Sequence, residues 1–256
     1  MSAPLAGRRI LVTRTRERAS GMVDELHGLG AEVIVVPLIA TEPVAPPADI
    51  VAAAQRLAAE HPPRWAAFTS ATAVRLVMGV LDAAALDGAS VAAVGEATAA
   101  ALARAGVSSD VVARQAGAAG LAASMADRDV HGAHVWFPCA AGAGVALAAW
   151  LRSRGATVRV QTIYRTVMPE DAPRRLASAL RQPLDAVALT SGSTARHLVA
   201  ALGDNALPAG TLVACIGEPT AEAARAAGLR VDVVAGVHTG AGLAAAIAGL
   251  LAQPLP

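Results

Sequence analysis

"VAAVGEATAAALARAGV" at 91–107 and "VACIGEPTAEAARAAGL" at 213–229 share one grammar: an apolar run, Gly-Glu-X-Thr, an Ala-rich helical stretch and a closing Gly. The echo extends on both sides. "WAAFTSATAVRLVMGVL" at 65–81 answers "AVALTSGSTARHLVAAL" at 186–202, and "HGLGAEVIVVPLIAT" at 27–41 answers "RSRGATVRVQTIYRT" at 152–166. Ser70 and Ser191 lie 121 positions apart, Gly95 and Gly217 122, and Gly30 and Gly155 125, a near-constant offset that reads as a duplication. Each copy holds a βαβ piece followed by a βαβαβ piece. Five strands per copy suit a small flavodoxin-like parallel sheet.

The strand candidates are short β-branched and apolar runs alternating with Ala/Leu helical stretches that end in Gly, the pattern of a parallel α/β protein. Ten are read: "RILVT" (9–13), "EVIVVP" (32–37), "WAAFTS" (65–70), "VAAVG" (91–95), "DVVA" (110–113), "HVWFP" (134–138), "TVRVQTIY" (157–164), "DAVALTS" (185–191), "LVACIG" (212–217) and "RVDVVA" (230–235). The repeat does not decide which pieces pack together. A tandem arrangement cuts the chain within 114–130, a Pro-free stretch that reads as helical. The Pro-bearing connectors lie instead at "PLIATEPVAPP" (37–47) and "TVMPEDAP" (166–173), which favours a middle domain set into an outer one. The expected boundaries are 1–38 with 168–256 for the outer domain and 43–164 for the inner.

An apolar fraction of 55% over 256 residues supports a sizeable core and excludes disorder. A formal net charge of +1, without a charged tail, argues against a nucleic-acid partner, so charged ligands must be met locally. All 21 basic side chains are Arg, and without Lys neither Schiff-base chemistry nor a P-loop lysine is available. Cys139 and Cys215 form no CxxC, which gives no support to a disulfide framework or zinc ribbon. His131 and His134 have loose metal spacing, and without an acidic or Cys partner placed to complete a ligand set no metal site is expected. "HTGAGLAAAIAGLLA" (238–252) is too short to span a bilayer and reads as a buried helix capped by Thr239. With no leader pattern at the N-terminus, these features predict a cytoplasmic protein with no membrane partner.

In open α/β sheets, ligands sit beyond the carboxyl ends of the strands, where helix N-termini present unpaired N–H groups. "TSAT", "GEAT", "TSGST" and "GEPT" each bring small residues and hydroxyls to such an end. Ser70, Thr98, Ser191 and Thr220 therefore read either as plain helix caps or, as a duplicated set facing one cleft between two lobes, as a cradle for a polyanion. Gly192, Ser193 and Gly217 belong to the same turns. Arg14, nearest the end of the first strand, is a carboxylate candidate; Arg16 and Arg18 read as a solvated helix start. Tyr164, the sole Tyr, stands where a strand enters the second connector and offers a phenolic proton. No GxGxxG opens a helix, so no dinucleotide site is expected.

The ordered set "ILVTRTR…LGAEVIVVPLIATEP", "FTSATAV", "VAAVGEAT", "RGATV…IYRT", "LTSGSTARHL" and "CIGEPTAEAA" resembles the uroporphyrinogen-III synthase family over nearly the whole chain. The resemblance implies an α/β fold of two flavodoxin-like lobes with parallel sheets, the middle lobe inserted into the outer and joined by a two-stranded linker. It implies one small-molecule substrate, hydroxymethylbilane with its eight carboxylates, and neither cofactor nor metal; a monomer is expected. In the family the terminal hydroxyl leaves, an azafulvene forms, and ring D inverts through a spiro intermediate before the macrocycle closes. Tyr164 then matches the Tyr that assists loss of the hydroxyl, Thr98 and Thr220 the threonines lining the cleft, and Ser70 and Ser191 the serines of the Thr-Ser turns. Two departures stand out: Cys139 and Gly144 of "PCAAGAG" occupy places where the family usually has Arg, and Pro219 replaces one hydroxyl of the last turn. They leave open a non-catalytic lobe pair that binds a polyanion, and a bilobed solute-binding or sensor module.

Overall fold

The computed structural model describes residues 3–115 and 117–252, with 16–20 described by backbone alone. In chain order the elements begin β1 (Arg9–Val12), α1 (Arg16–Gly28), β2 (Glu32–Val35), β3 (Ala40–Pro43), α2 (Pro47–Ala59), β4 (Arg64–Phe68), α3 (Ala71–Met78) and a 3-10 turn at Ala83–Leu86. They continue through β5 (Ser90–Ala93), α4 (Glu96–Arg104), β6 (Val111–Val112), α5 (Ala118–Ser124), β7 (His134–Ala140), α6 (Val145–Ser153) and β8 (Thr157–Val167). The last are α7 (Ala172–Ala179), β9 (Ala186–Leu189), α8 (Gly192–Leu202), β10 (Leu212–Cys215), α9 (Glu218–Ala226), β11 (Val233–Val234) and α10 (Gly240–Leu251). The chain divides into two compact units, 1–40 with 167–256 and 41–166.

The first unit holds a parallel sheet in the order β11-β10-β9-β1-β2. Successive strand residues point to opposite faces. Ile10, Val12, Ala186 and Ala188 pack with Met22 and Leu26 of α1 and Leu243 and Ile247 of α10. Leu11, Val187 and Leu189 instead meet Leu176 of α7, Leu198 of α8 and Ala224 of α9. With both faces covered, every residue of β9 and β10 is buried, and such strands read as unbroken apolar runs. His197 on α8 donates from Nδ1 to the Leu38 carbonyl at 2.7 Å, tethering the chain as it leaves β2.

The second unit holds six strands in the order β3-β8-β7-β4-β5-β6, with β8, β7, β4, β5 and β6 parallel. Ala66, Phe68, Val91 and Trp136 face α2, α3 and α4, while Trp65, Ala67, Ala92 and Phe137 face α5 and α6. Counting β7 and β8 first and leaving out the edge strand β3, the parallel strands of both sheets have the order 2-1-3-4-5. In the first unit the βαβ piece precedes the βαβαβ piece, and in the second it follows.

All ten strand readings correspond to strands, although "DVVA" and "RVDVVA" contribute only Val111–Val112 and Val233–Val234. The structure adds an eleventh, β3, inside the first Pro-bearing connector. It is a sheet edge, where the missing N–H of Pro43 is tolerated. Glu42 on β3 accepts two hydrogen bonds from Arg165 on β8, both 2.9 Å, and this partner holds its carboxyl below the usual range. The helical reading of 114–130 contracts to α5; Ala116 lies outside the described residues. Thr239 caps α10, accepting from Gly242 N–H at 3.1 Å. Among the described residues no helix is long and apolar enough to cross a membrane.

Candidate functional site

The hydroxyl-bearing turns lie at the carboxyl ends of the parallel strands, where chain order and helix polarity require them. In the second unit Ser70 follows β4 and is the N-cap of α3, its Oγ accepting from Ala73 N–H at 3.0 Å. The same Oγ lies 2.9 Å from the Tyr164 hydroxyl. Tyr164 is 8% exposed and belongs to the buried cluster that also holds Phe68, Val74 and Trp136. The phenol is therefore held at both ends, by packing along the ring and by Ser70 at the oxygen. Ser70 and Tyr164 are 94 residues apart in sequence and meet only in the fold.

Thr98 is the third residue of α4, 3% exposed, and the N-cap is Gly95. Thr220 stands likewise third in α9, 5% exposed, behind the N-cap Gly217. The cap alternative thus applies to Ser70 and Ser191 and not to the two threonines. Ser191 forms a full capping box: its Oγ accepts from Thr194 N–H at 3.3 Å, and Thr194 Oγ1 accepts from Ser191 N–H at 3.2 Å. Ser193 is half-buried and lies 3.5 Å from the Arg196 guanidinium. A Cβ on Gly192 would stand 2.8 Å from Ala223 Cβ, so the glycine allows α8 and α9 to approach. At Gly217 a Cβ would meet the His238 ring at 3.3 Å.

Arg14 lies just beyond β1 and lines a cavity of about 270 Å³ with Glu25, Thr190, Ile216 and Gly240, at the ends of β1, β9 and β10 and the start of α10. Thr190 Oγ1 is shielded from solvent and has no hydrogen-bond partner among the described residues. Sequence reasoning missed Thr190, although it is the Thr of the second Thr-Ser turn, and it missed the exposed His238 because nothing local marks a ring folded over Gly217. The side chains of Arg16 and Arg18 lie outside the described residues.

The structure explains both absent arginines. Cys139 is 1% exposed in the face covered by α5 and α6, where burial raises its thiol pKa. A guanidinium there would be buried without a partner, at a cost of several kcal/mol. Gly144, the N-cap of α6, has φ +84°, and a Cβ would come within 2.5 Å of the Phe137 ring. Neither position has room for Arg. Cys215 is also a free buried thiol, pushed up to about 11 chiefly by burial. His134 does have an acidic neighbour, Glu60 at 3.5 Å, that its local sequence does not reveal. Among the described residues no three His, Cys, Asp or Glu side chains gather as a metal site.

The chain is similar over 236 residues, at 30% identity, to the porphyrin biosynthesis protein HemD of Ruminiclostridium josui, and spans 46% of that relative's length. It is 28% identical over 250 residues to the uroporphyrinogen-III synthase of Chlorobaculum parvum, 98% of which it covers. In fold it is similar to a mutant uroporphyrinogen III synthase from Thermus thermophilus, with TM-score 0.63 and 22% identity over 96% of this chain and 99% of that one. The Helicobacter pylori uroporphyrinogen-III synthetase gives the same TM-score at 15% identity, over 94% of this chain and 98% of that one. The family described as Uroporphyrinogen-III synthase HemD matches residues 20–245, most of the chain and all of the turns described above, and the chain belongs to it.

Proposed function

We infer that this chain is a uroporphyrinogen-III synthase of tetrapyrrole biosynthesis, converting hydroxymethylbilane to uroporphyrinogen III with inversion of ring D and release of water, and thus a cyclising hydro-lyase. Beyond family membership, the observation that carries the reading is the Tyr164 hydroxyl, part-buried and held against Ser70 at the start of a helix. The hydroxymethyl C–O bond must break for the azafulvene to form, and a hydrogen bond to the departing oxygen assists that step. Hydroxymethylbilane closes unaided to the uninverted isomer. The enzyme's contribution is therefore to hold its two ends in the geometry that inverts ring D, a proximity effect on the order of several kcal/mol. We assign the substrate carboxylates to the strand-end groups Arg14, Thr98, Ser191, Gly192, Ser193, Gly217 and Thr220, where N–H and hydroxyl donors meet the positive ends of helices. Isomer-resolved turnover of hydroxymethylbilane tests the reading: excess isomer III supports it, and isomer I alone overturns it.

We read the two units as flavodoxin-like lobes. The support is the strand order 2-1-3-4-5 in each sheet, with β3 beside β8, clamped by Glu42 and Arg165, as a two-stranded linker. On this reading residues 43–164 form a lobe set into an outer one, and limited proteolysis at the connectors releases a stable fragment close to 48–165. Stable halves divided near residue 120 would contradict it.

A further inference from the structure

We propose that Ser70 is a positioning residue, whose hydroxyl aims the Tyr164 O–H at the leaving oxygen of the substrate rather than contacting a carboxylate itself. This rests on the synthase reading above.

The inference follows from counting protons around one oxygen. A serine hydroxyl has one hydrogen to donate and two lone pairs to accept with. The Ala73 N–H, 3.0 Å away, takes one lone pair of Ser70 Oγ. The 2.9 Å contact with Tyr164 Oη then has two polarities. If Tyr164 donates, Ser70 becomes a double acceptor and the phenolic proton is turned inward, away from any ligand. If Ser70 donates, the bonds run in one direction, from Ala73 N–H to Ser70 Oγ–H to Tyr164 Oη–H, and the phenolic proton points outward.

Hydrogen bonds aligned head to tail strengthen one another, whereas a double acceptor gains no such support. The position of Ser70 adds to the bias. It is the N-cap of α3, an eight-residue helix, so the oxygen feels the positive end of the helix and its O–H is the better donor for it. The tyrosine side chain has little room to turn away from the arrangement, because it is 8% exposed and belongs to the buried cluster of this unit. Ser70 thereby does two jobs with one oxygen: it closes the first turn of α3 by accepting and orients Tyr164 by donating. The second capping serine, Ser191, spends its hydroxyl differently, inside a capping box with Thr194. The duplicated Thr-Ser turns have diverged in what the serine addresses.

Tyr164 is the only tyrosine in the chain, so protein labelled with ¹³C at tyrosine Cζ gives one resonance that reports this hydroxyl directly. That carbon moves toward its phenolate position when the O–H donates more strongly and away from it when the oxygen accepts. Ser70→Ala is expected to shift the resonance toward the phenolate side, and Ser70→Thr, which keeps both the cap and the donor, to restore it. In turnover, Ser70→Ala is expected to lower kcat roughly fivefold with little change in KM, and to change kcat less than about twofold in a Tyr164→Phe background, as coupled neighbours do. An unmoved resonance, a shift of opposite sign, or losses from Ser70→Ala and Tyr164→Phe that multiply would overturn the positioning role while leaving the synthase reading intact. Isomer I alone from the unmutated chain overturns the synthase reading and the positioning role with it. Loss of the cap alone lowers the melting temperature but moves neither the coupling nor the rescue by Thr.

Discussion

Gly144→Arg, which introduces the arginine that the family resemblance implies at this place, is expected to destabilise the unit of residues 41–166 by about 3 kcal/mol and to lower its melting temperature by roughly 10 °C. Two penalties add. At φ +84° any Cβ crowds its own carbonyl, and the new atom arrives 2.5 Å from Cε1 of Phe137, a ring that is wholly buried and cannot swing aside. Gly142, two residues earlier, separates the terms: its φ is +73° but no atom lies within 4 Å of a Cβ placed there. Gly142→Ala is thus expected to cost only the backbone term, about 1 to 2 kcal/mol. Thermal denaturation of Gly142→Ala and Gly144→Arg checks the ordering. Equal stability of Gly144→Arg and the unmutated chain would show that the loop rearranges freely, and would reopen this turn as an arginine site.

Tyr164→Phe retains the fold and lowers kcat about tenfold, equivalent to ~1.4 kcal/mol in the barrier. The loss is partial because departure of the substrate hydroxyl is already facile. It falls on kcat because the interaction tightens as the C–O bond breaks. The buried ring is kept, so stability falls only by the lost bond to Ser70, about 1 kcal/mol. Steady-state kinetics at saturating substrate separates kcat from KM. Complete inactivation with an intact fold would give acid catalysis a larger share than proximity; unchanged kinetics would remove Tyr164 from the chemistry.

The strands were legible because both sheets are covered on both faces, so that runs such as Ala186–Leu189 and Leu212–Cys215 are apolar throughout. β3 was not, because "ATEP" is half exposed and its place beside β8 depends on Arg165, 123 residues away from Glu42. Helix starts were legible at Ser70 and Ser191, where the capping signal is local. The same signal misled at Thr98 and Thr220, since Gly95 and Gly217 hold the cap positions and the threonines, three residues on, are buried. Tyr164 could be singled out as the lone phenol, but its partner could not, because contact across 94 residues is a product of the parallel register and of core packing. The missing arginines looked like lost function from sequence alone. Phe137, against Gly144, shows a steric cause invisible in "PCAAGAG".

The most direct test is the isomer ratio formed from freshly generated hydroxymethylbilane, oxidised and separated by chromatography at several protein concentrations. Because ring closure proceeds without help, catalysis declares itself as a change of product as well as of rate. The account predicts uroporphyrinogen III in excess over isomer I, rising with protein concentration and needing no added cofactor. Isomer I alone at every concentration would contradict it, and tight binding of the bilane in the same samples would then mark the chain as a carrier of the polyanion rather than a synthase.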